Sequence, residues 1–333
     1  MVAVKKFVLF LLIAATAVML TGCGGGSKPA NPLIVDDKAT AKPAADAAKD
    51  KKQIALVMKT LTNPFFIEME TGARKAEKEF NINLIVKAGA KETSIDQQIA
   101  IVEELIRAKT DAIVIAPGSS TELIPVLTRA QQAGIKIVNI DNRLDPALSQ
   151  QAGLTNVPFI SVDNVKGAYQ SAKYISERIT TPTAVAVLEG IRTAKNAEDR
   201  KTGALQAFSE NSNITVVAVE TANWKIDEAY DVTKAIYNRH PNVSAWFCAN
   251  DMMALGTIKY LADTGKTGIH VAGYDALAEA RKVIGEGKMA VTIDQQADLQ
   301  GYTGVSYALK LINGQSVPLE TLVDVKLITQ QSN

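Results

Sequence analysis

The chain has 333 residues, a net charge of +1 and two cysteines, Cys23 and Cys248. This length exceeds one ordinary α/β core and suits two lobes of about 100–150 residues each. A charge so close to zero leaves no basic excess to neutralise a phosphate backbone, so nucleic acid is not expected as a partner. Two cysteines cannot build a framework of several disulfides, so apolar cores must stabilise the fold.

The N-terminus has the pattern of an export signal. Lysines at positions 5 and 6 precede an apolar run over residues 7–20, and the sequence Leu-Thr-Gly-Cys closes the segment at Cys23. The run is shorter than the ~20 residues that a membrane-spanning helix needs. Its ending resembles a bacterial lipoprotein box, in which the cysteine is acylated and becomes the mature N-terminus. We predict a signal peptide over residues 1–22, lipidation of Cys23 and an extracytoplasmic location on a membrane, with an ordinary secretory signal or a short membrane anchor as the alternative.

Residues 23–51 are predicted to form a lipidated, flexible tether. The segment is rich in Gly, Ala, Pro, Lys and Asp and contains no aromatic residue. Such a composition cannot bury enough apolar surface to offset the entropy of ordering the chain. The tether would let the folded part stand away from the membrane.

The rest of the chain alternates short apolar runs with amphipathic segments. Continuous apolar runs between helices indicate parallel strands that are covered on both faces. The runs fall into two series, at 54–60, 83–89, 111–117 and 135–141, and then at 184–190, 214–220, 244–250 and 268–275. The predicted fold class is therefore α/β, with two doubly wound parallel-sheet lobes. No transmembrane segment is predicted after residue 23.

The first predicted helix shows how these segments are recognised. Asn63-Pro64 is typical of a helix start, with Asn at the N-cap and Pro in the first turn. The buried stripe then steps by three and four residues through Phe66, Met69, Ala73, Ala76 and Phe80. On this spacing alone, Phe66 is a core residue and Asn63 a capping residue, so a binding role for either needs a second argument.

Polar and aromatic side chains follow the predicted strands at the point where each strand ends. In open parallel sheets, ligands bind beyond the carboxyl ends of the strands. The segments in this position are 63–66, 141–143, 196–200, 223–224, 250–251, 274–275 and 294–295. Their joint placement at one end of both sheets predicts a shared site. Taken singly, Asp141 and Asp275 fit a cap as well as a site, and for Asp163 and Asp251 a cap or turn is preferred.

The residue types in these segments match a sugar ring. Asp, Asn, Arg and Gln form strong hydrogen bonds with hydroxyl groups, and aromatic planes cover the C–H faces of the ring. No second carboxylate is fixed opposite Asp141 or Asp275, so an acid–base enzyme that also used Glu198 is not favoured. His240 and His270 have no metal-ligand spacing, and neither a metal nor a cofactor is expected.

Seven motifs occur in order along the chain: KTLTNPFF (59–66), VNID (138–141), SVDN (161–164), Arg200-x-x-Gly203, FCANDMMALG (247–256), VAGYD (271–275) and VTIDQ (291–295). Through these motifs the sequence resembles ribose-binding and related periplasmic sugar-binding proteins over residues 52–328. Carried over position by position, the resemblance implies ligand contacts at Asn63, Phe65, Phe66, Asp141, Arg200, Trp224, Asn250, Tyr274, Asp275 and Gln295.

The chain departs from ribose binders at several of these positions. Where they carry Arg directly after the first-lobe Asp, this chain has Asn142, with Arg143 one place later, and we include both in the predicted site. Trp224 and Tyr274 replace phenylalanines, and Asn196 is added as a polar contact. These departures put ribose itself in doubt and leave a hexose, a polyol or a cyclitol open.

The resemblance also implies a periplasmic binding protein type I fold with three chain crossings between the lobes. Lobe 1 is then expected to hold residues 52–162 and 296–324, and lobe 2 residues 163–295 and 325–333. The expected function is to capture a monosaccharide or polyol, as a monomer, and to deliver it to an ABC permease. A sugar-sensing co-receptor and a binder of another small polar ligand remain alternatives. A transcriptional repressor of this fold would need a helix-turn-helix in place of the export signal.

Overall fold

The computed structural model describes residues 51–332. The predicted signal peptide, the Cys23 lipidation site and the tether up to residue 50 lie outside the described residues. Within residues 51–332, no helix has the length and apolar character needed to cross a membrane.

Strands and helices alternate along the described chain. The first part contains β1 (Gln53–Met58), α1 (Pro64–Phe80), β2 (Asn83–Ala88), α2 (Ile95–Arg107), β3 (Ala112–Ile115), α3 (Ile124–Gln132), β4 (Lys136–Ile140), α4 (Pro146–Ala152) and β5 (Phe159–Val162). The second part contains α5 (Asn164–Ser176), β6 (Thr183–Glu189), α6 (Lys195–Ser209), β7 (Ile214–Thr221), α7 (Ile226–Arg239), β8 (Val243–Cys248), α8 (Asp251–Asp263), β9 (His270–Ala272), α9 (Ala278–Gly285) and β10 (Val291–Asp294). The chain ends with α10 (Ala297–Ile312), β11 (Glu320–Val323) and β12 (Lys326–Thr329).

The strands form two six-stranded sheets. The first has the order β11-β5-β4-β3-β1-β2, and all its strands are parallel. The second has the order β12-β10-β9-β8-β6-β7, and its edge strand β12 runs antiparallel to β10. The predicted two-lobe parallel α/β architecture is confirmed. The antiparallel edge strand is a difference, because short edge strands such as β11 and β12 carry too few residues to show a pattern.

The chain passes between the sheets three times. It leaves the first sheet after Val162, returns to it after Asp294, and crosses again between Val323 and Lys326. Helix α10 packs on α1 and on strands of the first sheet, whereas α5 packs on α6 and on strands of the second. We use "first lobe" for the first sheet with α1–α4 and α10, and "second lobe" for the second sheet with α5–α9.

Strand β1 of the first sheet is buried on both faces. Ile54, Leu56 and Met58 of β1 belong to the core on the α1 side, and Ala55 and Val57 to the core on the opposite side. This is the period of two that a strand imposes on its side chains. The predicted stripe of α1 faces the first of these cores, so Phe66 is a core residue there.

Helices α1 and α10 pack unusually close together. A Cβ atom at Gly72 would lie 1.7 Å from the Asp298 carbonyl oxygen, and one at Gly301 would lie 2.0 Å from the Met69 carbonyl oxygen. The two helices touch backbone to backbone, which only residues without a side chain permit. This contact fixes the start of α1, where Asn63, Phe65 and Phe66 lie, against the rest of the first lobe.

We expect Gly301→Ala to destabilise the protein, because its methyl group meets backbone atoms that cannot move aside. Overpacking of this kind costs about 1–3 kcal/mol of unfolding free energy. Urea denaturation followed by circular dichroism measures the change. Lys310→Ala, on the exposed side of the same helix, is the control and should stay within about 0.5 kcal/mol of the parent. Equal stabilities of the two variants would contradict the close packing.

Candidate ligand-binding site between the lobes

A small cavity lies between the two lobes. Its lining residues are all buried and come from both sheets: Lys59, Asn63, Phe65, Phe66, Glu92 and Asp141 from the first lobe, and Asn196, Arg200, Trp224, Asn250, Asp275 and Gln295 from the second. Its open space is only about 20 Å³, so the two walls pack closely against each other.

The lining residues lie where the parallel strands end. Lys59 follows β1 directly, Asp141 follows β4, and Gln295 follows β10. The carboxyl ends of parallel strands meet at one edge of a sheet, and here the edges of the two sheets face each other across the cavity. Residues that follow separate strands in the sequence therefore lie close together in the structure.

Three lining residues have left-handed backbone conformations. The φ angles are 62° at Asp141, 66° at Trp224 and 123° at Asp275. Residues with side chains rarely adopt such angles, and those that do are held there by their surroundings. The backbone at these strand ends is therefore fixed in a strained form that aims specific side chains at the cavity.

The wall from the first lobe contains a buried ion pair and a buried carboxylate–amide contact. The Lys59 ammonium lies 2.7 Å from Asp141 Oδ2, with both side chains 3% exposed. Asn63 Nδ2 donates to Glu92 Oε1 at 2.8 Å, and Asn63 Oδ1 accepts from the backbone N–H of Phe65 at 3.1 Å. Asn63 is thus the N-cap of α1 and a lining residue together, so both sequence interpretations of this residue apply.

The wall from the second lobe is organised around Arg200. Its guanidinium donates to Asn164 Oδ1 at 2.8 Å, to the Ala249 carbonyl oxygen at 2.9 Å and to Gln295 Oε1 at 3.1 Å. Gln295 Nε2 in turn donates to Asp275 Oδ1 at 2.6 Å, and that oxygen lies 3.6 Å from Arg200 Nη1. These bonds fix the orientation of the guanidinium and of the carboxylate beside it.

Burial changes the proton affinity of two lining carboxyls. It raises the pKa of Glu92, against the opposing effects of the Lys59 charge and the Asn63 hydrogen bond. Burial also raises the pKa of Asp275 well above its usual value, although the Arg200 charge acts in the other direction. A buried carboxyl loses its hydration shell, so hydrogen-bond donors inside the cavity are valuable to it.

The cavity also offers aromatic faces and unpartnered polar atoms. The rings of Phe65 and Phe66 meet edge to face, with centroids 5.1 Å apart, and Trp224 lines the cavity from the other lobe. Within residues 51–332, the buried atoms Asn196 Oδ1 and Trp224 Nε1 have no hydrogen-bond partner. Leaving such atoms unsatisfied costs about 1–3 kcal/mol each, so they favour a ligand that carries hydroxyl groups.

Three residues of the predicted site do not line the cavity, which corrects the predicted set. Arg143 packs flat on the Phe159 ring, 4.0 Å from its centroid, and pairs with Glu320 outside the cavity. Tyr274 is fully buried beneath Arg200, whose guanidinium carbon lies 3.9 Å from the ring centroid. Asn142 is fully buried, and its side chain bonds to backbone groups on both sides of the cleft.

Each of the three deviates for a local reason. The left-handed turn at Asp141 directs that side chain into the cavity, and the two residues that follow it leave the wall. Asp275, also with positive φ, lines the cavity, while Tyr274 before it faces the core. Adjacent residues at a tight turn point in different directions, which a run of sequence letters does not reveal.

Two lining residues, Lys59 and Glu92, were not among the predicted site residues. The apolar run at 54–60 places Lys59 inside the first predicted strand, but β1 ends one residue earlier, at Met58. Glu92 lies in the loop between β2 and α2, after the second predicted strand. The same rule about strand ends, applied to every strand of the first lobe, would have pointed to both positions.

The sequence favours a capping or turn role for both Asp163 and Asp251. Asp163 is indeed the N-cap of α5, with its side chain accepting from the Lys166 N–H at 2.9 Å. Asp251 is not a cap, because Asn250 caps α8. The fully buried Asp251 carboxylate instead accepts from the Leu277 N–H at 2.9 Å and from the Thr292 hydroxyl at 2.7 Å. It therefore holds the turn that presents Asp275.

We expect Asp251 to make the stability depend on pH. Burial raises its pKa from 3.8 to about 7, so between about pH 4 and 7 the folded chain binds more protons than the unfolded chain. The unfolding free energy should fall as the pH rises through this window, by at most ~1.4 kcal/mol per unit. Urea denaturation at pH 4.5, 5.5, 6.5 and 7.5 should show a smaller fall in Asp251→Asn. Parallel profiles would contradict this assignment.

No group of three or more His, Cys, Asp or Glu side chains suited to a metal ion is found in the described part of the chain. The buried Cys248 has its pKa raised by burial to about 12, so its thiol stays protonated near neutral pH. A buried thiol of this kind behaves as a small core residue.

Comparison with known proteins identifies the family. The model of the periplasmic binding protein domain matches residues 54–316. The D-ribose/D-allose-binding protein of Pseudomonas aeruginosa is 38% identical over 270 residues, which covers 80% of this chain and 84% of that protein. The D-allose-binding periplasmic protein of Escherichia coli is 33% identical over 279 residues, covering 83% of this chain and 90% of that protein.

Solved structures agree with these sequence matches. The crystal structure of an ABC transporter periplasmic solute binding protein from Actinobacillus succinogenes, with bound D-allose, is 41% identical to this chain. The two structures superpose with a TM-score of 0.80, and the match covers 85% of this chain and 99% of the Actinobacillus succinogenes chain. The predicted type I fold and the resemblance seen in the sequence are confirmed. The chain belongs to the periplasmic binding protein family, whose members bind solutes for transport and are not enzymes.

Proposed function

We propose that this protein captures one monosaccharide in the cavity between its lobes and delivers it to an ABC permease. The observation that carries the proposal is the cavity itself, whose wall from each lobe contributes charged, amide and aromatic side chains. A sugar has hydroxyl groups around its ring edge and C–H groups on its faces, and the cavity offers a partner for both. The polar chemistry of the lining residues favours a sugar over an apolar ligand.

The arrangement can supply a useful affinity. A dissociation constant of about 1 μM corresponds to about −8 kcal/mol. A hydrogen bond between a hydroxyl and a charged group contributes about 1.5–3 kcal/mol, and Lys59, Glu92, Asp141, Arg200 and Asp275 are the charged groups that line the cavity. A few such bonds are enough after the cost of immobilising the ligand is met.

We further propose D-allose or D-ribose as the ligand class. D-allose and D-ribose have the same configuration at carbons 2, 3 and 4, and D-allose carries one additional CH₂OH group. Support comes from the relatives at 38% and 33% identity and from the 41% identical structure with bound D-allose. The replacement of the arginine of ribose binders by Asn142, which lies outside the cavity wall, favours the hexose.

Capture is proposed to proceed by closure of the two lobes about the chain crossings. An open form would expose two half-sites, and the sugar would bridge them and shift the population to the closed form. We propose that residues 52–162 and 296–324 move as one lobe and residues 163–295 and 325–333 as the other. The support is that β11 pairs in the first sheet and β12 in the second.

The location of the protein is extracytoplasmic, as for the family. We propose in addition that Cys23 is acylated, that residues 23–51 tether the lobes to the membrane, and that the protein acts as a monomer. Several acyl chains would hold it firmly, since each buried methylene contributes about 0.8 kcal/mol. A tether of this length lets the closed form reach a permease in the same membrane.

We expect Asp275→Asn to weaken sugar binding at least ~10-fold, because a charged acceptor is replaced by a neutral one of the same shape. Isothermal titration with D-allose and D-ribose measures the change. Arg200 keeps Asn164, Gln295 and the Ala249 carbonyl as partners in this variant, so the fold should tolerate it. Alanine at Asp141 would be a poorer test, because it leaves the buried Lys59 charge without its partner.

Arg143→Ala is the matched control for this titration. Arg143 lies near Asp141 in the sequence but outside the cavity, so its removal should change neither affinity by more than about twofold. An equal loss in both variants would show that the site is misplaced. A parent protein that gave no heat with D-allose or D-ribose, and no thermal shift with other hexoses, would overturn the proposed ligand class.

The lipid anchor is tested separately. The full-length chain produced in a bacterium should enter the detergent phase of a Triton X-114 extraction, and Cys23→Ser should move it to the aqueous phase, because the acyl chains are lost. Cys248→Ser is the control, since Cys248 is buried in β8 and should not affect partitioning. Detergent partitioning of the Cys23→Ser protein would contradict acylation at this residue.

A further inference from the structure

Helix α6 carries two lining residues but does not cap its own start. Asn196 and Arg200, which contribute to the second-lobe wall, lie in its first two turns. Its N-cap residue is Ala194, which has no side-chain acceptor for the free N–H groups of the first turn. Capping residues are usually Ser, Thr, Asp or Asn, so alanine at this position is unfavourable by itself.

The first lobe supplies the missing acceptors across the cleft. Ser120 Oγ accepts from the Lys195 N–H at 3.0 Å, and Asn142 Oδ1 accepts from the Asn196 N–H at 3.2 Å. The Ser120 N–H donates to the Thr193 carbonyl oxygen at 3.0 Å. The first turn of a second-lobe helix is thus capped by two side chains of the other lobe.

Both acceptors are held in place by the first lobe itself. Asn142 Nδ2 donates to the Pro117 carbonyl oxygen at 3.1 Å, and the Asn142 carbonyl oxygen accepts from Asn139 Nδ2 at 2.8 Å. The Ser120 hydroxyl donates to Asn142 Oδ1 at 3.4 Å. Because these bonds lie within one lobe, the two oxygens are already oriented before the second lobe arrives.

We infer that Ser120 and Asn142 are positioning residues that cap helix α6 only when the lobes close, and that thereby bring Asn196 against Asp141. The inference rests on the proposed function, because it assumes that binding requires closure. The consequence for the site is direct: Asn196 Nδ2 lies 3.4 Å from Asp141 Oδ1, so the capped helix completes the contact between the two walls. We call the pair Ser120 and Asn142 the interlobe cap.

Neither residue of the interlobe cap lines the cavity, and Asn142 meets the lining residue Asn196 only at its backbone N–H, so we expect the cap to act on every ligand alike. A residue that changes only the fraction of closed protein multiplies all apparent dissociation constants by one factor. A residue that contacts the sugar changes the affinities of different sugars by different factors.

The test is to measure D-allose and D-ribose affinities of the full-length chain with Ser120→Ala and with Asn142→Ala. Each variant is expected to weaken both sugars by the same factor, about 2–30-fold, which is the range for loss of a helix cap. The melting temperature of Ser120→Ala without sugar should stay close to that of the parent, since the open form lacks the interlobe contact. Asn142→Ala also loses the bond to the Pro117 carbonyl within the first lobe, so that variant is judged on its affinities. Unchanged affinities, or factors that differ between the sugars, would overturn the inference.

Asp145→Ala is the matched control, because Asp145 caps α4 within the first lobe. Its Oδ1 accepts from the Leu148 N–H at 2.8 Å, so its removal takes away a cap that closure does not form. It should lower the melting temperature without sugar and leave both affinities within about twofold. Loss of affinity equal to that of the interlobe cap variants would count against a role in closure.

If the parent binds neither sugar, that result counts against the proposed ligands and not against the interlobe cap. A second measurement then tests the interlobe cap without sugar. Lys91 and Asp227 are exposed and lie on opposite sides of the cleft mouth. Spin labels on Lys91→Cys and Asp227→Cys, in a chain with Cys23→Ser, would report the distance across it. The sugar-free parent should show a short-distance population that both cap variants lose. Equal distributions would overturn the inference.

Discussion

The structure depends on pairing the charged side chains that are buried between the two lobes. Lys59 and Asp141 are each 3% exposed and lie 2.7 Å apart, and Arg200 and Asp275 are equally buried on the facing wall. An isolated charge in such surroundings would cost several kcal/mol. The cavity therefore exists only because the strand ends bring opposite charges and amide groups together, and the same groups are those that we propose bind the hydroxyls of the sugar.

Each wall largely completes its own pairs. Lys59 and Asp141 belong to one lobe, and Arg200, Asp275 and Gln295 to the other. Opening the lobes consequently does not break the buried ion pairs, and both half-sites stay oriented for a ligand. The contacts of the interlobe cap, which cross the cleft, are neutral hydrogen bonds that water can replace at small cost. In the proposed closure, this division would keep the free-energy difference between the open and closed forms small enough for one sugar to shift it.

Orientation of the site comes from strained backbone that a rigid scaffold enforces. The left-handed conformations at Asp141, Trp224 and Asp275 would relax in an isolated peptide. Here the parallel strands before them and the buried Asp251 behind the Asp275 turn hold them in place. The close packing of α1 on α10 likewise holds the start of α1 in the wall from the first lobe. The positions of the cavity side chains therefore depend on the packing of the cores beneath them.

The sequence by itself determined the two-lobe parallel architecture, because continuous apolar runs between amphipathic helices have few other solutions. It also located the edge where the polar residues meet, since the carboxyl ends of parallel strands carry the binding residues of this fold class. Only the tertiary structure decided which side chain of each turn enters the cavity: Asp141 does and Arg143 does not, and Asp275 does while Tyr274 supports Arg200 from behind. The φ angle at a tight turn decides which of two adjacent side chains enters the cavity. Contacts from strands that are distant in the sequence set this angle, so a local sequence pattern cannot predict it.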